Sequence, residues 1–226
     1  CEELCHVQDT GLSDYITKNC ATPSKQLKRF VFISIPKNAS QSIFDMFNIK
    51  LKDHSNSTDY GIFDNHCRAS VLKNRYNDFN TRFKFCFVRN PYERLISWFN
   101  YHKNGLKLPL YKRFTFEQWV KANFPHHWGL QNGTRYKREK RSPLDQHQFI
   151  YDDNDNLLVD FIGHMETFEQ DFKYICSKVD YKPEKIIHKN KTSNTEWKTY
   201  YTQETFTITQ QRFSKDLKLF GYHNIT

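Results

Sequence analysis

Three largely apolar stretches do most to limit what this chain can fold into. They are "FVFISI" at 30–35, "FKFCFV" at 83–88 and "LLVDFI" at 157–162, and each is followed by a helical pattern. A strand with one wet face alternates apolar and polar residues, so continuous runs need cover on both faces. Such strands alternating with helices form a parallel sheet between two helix layers. An α/β fold is therefore expected, with ligands bound beyond the carboxyl ends of the strands.

The helical segments carry their own start signals. Apolar spacing resumes at Ser40 and runs to about Lys50, with Ile43, Met46 and Phe47 on one side. A short helix is predicted over 68–76. In Asn90-Pro91-Tyr92-Glu93, the asparagine can cap, proline suits the first helical position, and Glu93 can reach back to complete a capping box. That helix should run to about His102. Thr115 with Gln118 predicts another capping box and a helix to about Asn123. Residues 51–61 and 124–146 are read as loops. Thr167 should cap a helix with Phe168, Phe172, Ile175, Cys176 and Val179 on one face, and a last helix is expected over 203–220. Residues 1–28 form an irregular arm, and 29–226 one domain.

The 226 residues suffice for a sizeable core, and 38% apolar with 16% aromatic residues excludes a disordered chain. A net charge of +9 favours anionic partners. No apolar run reaches the roughly 20 residues that span a bilayer. The chain does not begin with Met and shows no signal peptide, so any membrane anchor is expected only in a segment before Cys1. Cys1, Cys5, Cys20, Cys67, Cys86 and Cys176 permit disulfides without fixing a pairing. Cys1, Cys5 and His6 lack a second pair at zinc-finger spacing, so no metal site is expected. Cys86 and Cys176 fit buried apolar positions. Asn-x-Ser/Thr sequons at Asn38, Asn56, Asn132, Asn190 and Asn224 lean with the cysteines toward a secretory compartment, against a cytoplasmic one.

"IPKNASQS" puts Lys37 where a helix begins, beside amides that already make that end partly positive. An anion there would remove the conflict. Backbone N–H groups of residues 38–42 and the hydroxyls of Ser40 and Ser42 could cradle one oxyanion, with Lys37 supplying charge. An ordinary strand–turn–helix with a surface lysine is the plainer alternative. The loop lacks G-x-x-x-x-G-K-[ST], which counts against a nucleoside-triphosphate kinase, and Asp160 is a poor substitute for its magnesium-holding aspartate. "VRNPYERLISWF" adds Arg89 at a second strand end and Ser97 two helical turns on. An arginine so placed can grip a phosphate bidentately.

In this order and spacing the two motifs resemble the sulfotransferases that use 3′-phosphoadenosine 5′-phosphosulfate (PAPS), closest to their carbohydrate-type branch of Golgi and bacterial enzymes. "LLVDFIGHMETFEQDFKYIC" and the C-terminal stretch ending in "FGY" extend the likeness over about residues 30–222. His164 and Met165 depart from its usual pattern. The resemblance implies a P-loop-NTPase-like sheet. It also implies that Lys37, Asn38, Ala39, Ser40, Gln41 and Ser42 hold the 5′-phosphosulfate, and that Arg89 and Ser97 hold the 3′-phosphate. Product would be 3′,5′-ADP, and no metal is required, since a sulfuryl group carries less charge than a phosphoryl group.

The transfer needs a base near both motifs. The resemblance points to His66 in "FDNHCRASVLKNRY", with His54, Glu93 and His147 as competitors; Lys37 would meet charge on the leaving oxygen. The run "RYKREKR", with Arg138 and Arg141, together with His147, could grip an anionic glycan acceptor. No nucleic-acid partner is expected. Thr192 to Thr195 could close over the nucleotide. A kinase-like P-loop enzyme and a non-catalytic polyanion-binding module remain the alternatives. The Golgi lumen is the expected setting.

Overall fold

The computed structural model describes residues 29–48, 55–57, 61–64, 66–126, 142–186 and 197–223. Five strands make one sheet: β1 (Phe30–Ile33), β2 (Ser55–Ser57), β3 (Gly61–Asp64), β4 (Phe83–Val88) and β5 (Phe161–His164). Their order is β2-β3-β1-β4-β5. β1 lies between β3 and β4 and is parallel to both, β4 and β5 are parallel, and only the edge strand β2 runs antiparallel.

Alternate residues of the central strands feed two separate cores. Phe30, Phe32, Phe85 and Phe87 face one side. There they meet Ile43, Phe44 and Met46 of α1 (Ser40–Met46) and Phe172, Ile175 and Val179 of α7 (Phe168–Val179). Val31, Ile33, Cys86 and Val88 face the other. They pack with Ala69 and Leu72 of α2 (Ala69–Arg75), Phe149 and Ile150 of α6 (His147–Ile150), and Leu217 of α9 (Ser214–Leu219). This is the sheet with both faces covered that the continuous apolar runs demand. Phe32 and Phe85 stack at 5.2 Å between ring centroids, and each is at most 1% exposed. Truncating either to alanine would cost about 3–5 kcal/mol. Gly163 lies opposite Phe87, where a Cβ would sit 2.6 Å from the ring, so the close approach requires glycine.

α3 (Pro91–Asn100) follows β4. Asn90 caps it, its side chain accepting from the Tyr92 N–H at 3.0 Å. The helix then widens into a π-turn, Tyr101–Gly105. α4 (Pro109–Lys112) and α5 (Phe116–Lys121) build a third core around Trp98, Phe99, Tyr111 and Trp119. Thr115 and Gln118 form the expected capping box.

Several expectations are corrected. The Asn90–Glu93 capping box does not close: the Asn90 N–H donates to Glu166 at 3.0 Å, while Glu93 turns to Arg89. Thr167 stands at the start of α7, but its hydroxyl donates to Asp171 at 2.6 Å instead of capping backbone. Residues 157–160 do not continue the last strand. Leu158 N–H donates to Ile150 O, and Asp160 brackets Lys84 with backbone and side chain, so β5 starts at Phe161. The last helix is two, α8 (Gln203–Arg212) and α9, broken at Phe213 where that ring enters the third core. β2 lies in the stretch 51–61 read as loop, while β3, apart from Gly61, and α6 form where no element was expected.

Candidate active site

β1 and β4 are neighbours, and their chain exits diverge, toward β3 and toward β5 respectively. A crevice at the carboxyl ends of such strands is where α/β folds bind ligands. Lys37 and Arg89 lie at these exits.

The first exit, 36–39, bends sharply. Lys37 has φ 68° and Ala39 φ 55°, both left-handed, at a cost of roughly 1–2 kcal/mol each for a residue with a Cβ. Such turns gather successive N–H groups into an anion-holding concavity. The side chains divide the work differently from the sequence expectation. Asn38 is 1% exposed and its amide donates to Phe87 O and to Gln146 Oε1, each at 2.8 Å. It is a tie between loop and sheet, and too buried to carry a glycan. The Ser34 hydroxyl donates to Ser40 Oγ at 2.7 Å, and Ser40 turns toward Ile35 O. Ser42 is 1% exposed, beneath the helix start, and Gln41 is exposed and donates to Asp45. Of the loop's side chains, Asn38 and Ser42 are thus buried and Gln41 turns to Asp45, which leaves Lys37 as the charged group at this exit.

Lys37 is half-buried and has no carboxylate partner among the described residues. Its ammonium lies 3.8 Å above the centroid of the Tyr101 ring. Burial, then the charges of Arg89 and Arg94, push its pKa down to about 8. Arg94 is 1% exposed and donates to three carbonyls: Pro36 O at 2.9 Å, Leu144 O at 2.6 Å and Pro143 O at 2.9 Å. It locks α3 to the loop and adds fixed positive charge.

The second exit is neutralised. Arg89 donates from Nη2 and Nε to Glu93 Oε2, at 3.0 and 3.3 Å. Burial, opposed by Arg89 and assisted by Glu166, raises the Glu93 pKa. Glu166 accepts from the Tyr222 hydroxyl at 2.7 Å and from Asn90 N–H. Ser97, half-buried, is one turn beyond Glu93 on α3. Gln146, fully buried, joins the exits: its Oε1 accepts from Asn38 and from Arg89 N–H, and its Nε2 donates to Arg89 O at 2.9 Å.

His66 has φ 60° and leans on the end of β1, its Nδ1 3.0 Å from Ser34 O. A carbonyl only accepts, so Nδ1 carries the proton, and in the neutral ring the lone pair lies on Nε2. Ser34 connects the imidazole to Ser40 in the first loop. His147 is held otherwise: its Nδ1 lies 2.5 Å from Asp216 Oδ1, and Asp216 also accepts from the N–H groups of Gln146 and His147, capping α6. His164 turns to Phe220 O. His54, Arg138, Arg141, Thr192 to Thr195, the other sequons' side chains, and Cys1, Cys5 and Cys20 lie outside what is described. Cys67, Cys86 and Cys176 are buried and not in disulfides.

The structure thus brings Lys37, Arg89 and His66 to the ends of β1, β3 and β4. Sequence reasoning missed Gln146, Arg94, Tyr101 and Glu166. All but Glu166 fall within or beside "VRNPYERLISWFNY" or "PLDQHQF", yet nothing local marks their partners.

The profile of the sulfotransferase family matches residues 24–223. A protein of Archaeoglobus fulgidus described as uncharacterized is 27% identical over 113 residues, 49% of this chain and 80% of that one. The crystal structure of mouse sulfotransferase SULT7A1 complexed with PAP superposes with a TM-score of 0.48 and 13% identity, over 84% of this chain and 85% of that one. On the family profile, which spans nearly the whole chain, this protein belongs to the sulfotransferase family.

Proposed function

We propose that the chain moves a sulfuryl group from PAPS to a hydroxyl of a carbohydrate, with His66 as general base. One observation carries this: Lys37, Arg89 and Arg94 converge where two parallel strands end, and no described carboxylate is paired with Lys37. The residues fit a nucleotide carrying two separated anionic groups. The amides of 39–41 and Lys37 would hold the 5′ end, the Asn38 N–H being spent on Ile35 O, and Arg89 and Ser97 the 3′-phosphate. When bound, the nucleotide supplies a sulfuryl group for in-line transfer to the acceptor oxygen. His66 Nε2 accepts the acceptor's proton as the new O–S bond forms, and its Nδ1–H bond to Ser34 O holds the ring in that tautomer. Lys37 meets the charge on the departing phosphate oxygen.

The acceptor is read as a sugar hydroxyl, and an anionic glycan suits the basic run that contains Arg138 and Arg141. His147, oriented by Asp216, follows Gln146, which joins the two strand exits. A glycan-modifying enzyme fits a Golgi lumen. Glycan occupancy at Asn56, Asn132, Asn190 or Asn224 would support that, and an unmodified cytoplasmic pool would contradict it.

Thermal shift tests the donor. 3′,5′-ADP should stabilise the protein more than 5′-AMP or ATP with Mg²⁺, because binding to the folded state raises stability by mass action. A larger shift with ATP and Mg²⁺ would overturn the assignment. His66→Ala should lower turnover by about 10²–10⁴-fold and leave 3′,5′-ADP binding intact; full activity would remove His66 from the base role. Labelled sulfate transfer across glycans and small alcohols identifies the acceptor, and transfer to non-sugar alcohols alone would refute the carbohydrate.

A further inference from the structure

Lys37 presents a physical problem. Its ammonium is half-buried and feels the charges of Arg89 and Arg94, and no carboxylate among the described residues balances it. Left so, it would swing into solvent or lose its proton. What it meets is the face of Tyr101, at 3.8 Å. The place of that ring is built. Tyr101 opens the π-turn that ends α3, its carbonyl accepting from Leu106 N–H at 2.8 Å. Turns of this wide type are rare and cluster at functional sites. Gly105 lies under the ring, where a Cβ would come within 3.3 Å of Tyr101 Cδ2. The buried His102 meets it edge-on at 5.2 Å, and is itself pinned by Trp98 O at 2.7 Å.

We propose that Tyr101 is a positioning residue for Lys37, its ring face holding the ammonium aimed across the first strand exit. The inference rests on the donor assignment above. An aromatic face suits the task better than a carboxylate would. A carboxylate would cancel the lysine's charge and compete with the incoming phosphosulfate. The ring quadrupole attracts the cation and leaves its charge intact. A stronger anion can then share the ammonium without breaking an ion pair. Tyr101 therefore acts on the chemical step through Lys37, and little on nucleotide affinity.

A double-mutant cycle tests this, reading kcat, the KM of each substrate and the Kd of 3′,5′-ADP. Tyr101→Leu should lower kcat about 3- to 10-fold, the equivalent of the lost cation–π attraction, with nucleotide Kd changed less than about twofold. Tyr101→Phe and Tyr101→Trp keep an aromatic face and should retain most of kcat. In a Lys37→Met background, Tyr101→Leu should have no further effect. Additive losses, a change confined to the acceptor KM, or Tyr101→Phe as impaired as Tyr101→Leu would each overturn the proposal. If Lys37→Met is impaired but Tyr101→Leu is not, the ring's role falls and the donor assignment stands. If Lys37→Met keeps full kcat, both fall.

Discussion

The two strand exits meet at one rim but handle charge in opposite ways. At the first, Lys37 stands on strained backbone, with an aromatic face for company and no described carboxylate. At the second, Arg89 is bound to Glu93, and Glu166, Tyr222 and Gln146 stitch the surrounding backbone. An unbalanced, half-buried cation is costly to keep, and its environment already depresses its pKa. A paired cation costs less but must share its partner when a ligand arrives. The contrast suits one end of a ligand that changes charge during a reaction and another that only anchors it.

Substitutions can break that contrast. The largest effect is expected from Lys37→Met, which should reduce kcat by about 10²–10³-fold, the scale of removing one charge-stabilising donor from a transition state. Steady-state kinetics with a parallel 3′,5′-ADP titration should show kcat falling far more than affinity; equal losses would erase the distinction between the exits.

Arg89→Ala should do the reverse, weakening 3′,5′-ADP about 10- to 100-fold by calorimetry, as for a lost charged hydrogen bond. It should also lower Tm, since Glu93, 8% exposed, stays buried without its counter-charge. Adding Glu93→Gln should restore Tm but not affinity; restored affinity would mean Arg89 serves only to neutralise Glu93.

Gln146→Ala touches both exits by removing the acceptor of Asn38 and Arg89 N–H. Denaturant unfolding should show a loss of about 1–3 kcal/mol, with a smaller change in nucleotide affinity. An unchanged midpoint would show that the exits are held independently.

The smallest effect concerns pH. With its pKa near 8, Lys37 is charged below that value and neutral above it. Nucleotide affinity should therefore weaken as pH rises from 7 to 9, with proton uptake on binding near pH 8. An unfolded lysine keeps its proton to near the ordinary lysine value of 10.5. In the ligand-free protein this group should thus make stability rise with pH between about 8 and 10.5. Lys37→Arg should flatten the binding profile, and an unaltered profile would assign it to another group.

Much of the fold was legible in the chain. "FKFCFV" is β4 to the residue, because six consecutive apolar or amphipathic residues bounded by Asn90-Pro91 leave little choice. β3 was not legible, because "GIFD" has no period to read and gains its place only by pairing with β1. The site divides similarly. Lys37 and Arg89 stand out by their place just after strand ends, and His66 only through the family resemblance. The inward turn of Asn38 and the burial of Ser42 do not, since a loop sequence does not say which side chains the sheet will take.

The sequence by itself determined the extent of β4, that the strands need cover on both faces, and that a basic residue follows each of β1 and β4. Local steric preference and apolar periodicity suffice for that. Tertiary structure alone decided that Gln146 joins Asn38 to Arg89, that Glu93 pairs with Arg89 instead of capping its helix, and that Lys37 rests on Tyr101. Those contacts depend on which groups become neighbours once the sheet is paired and its helices packed, across separations as long as 108 residues.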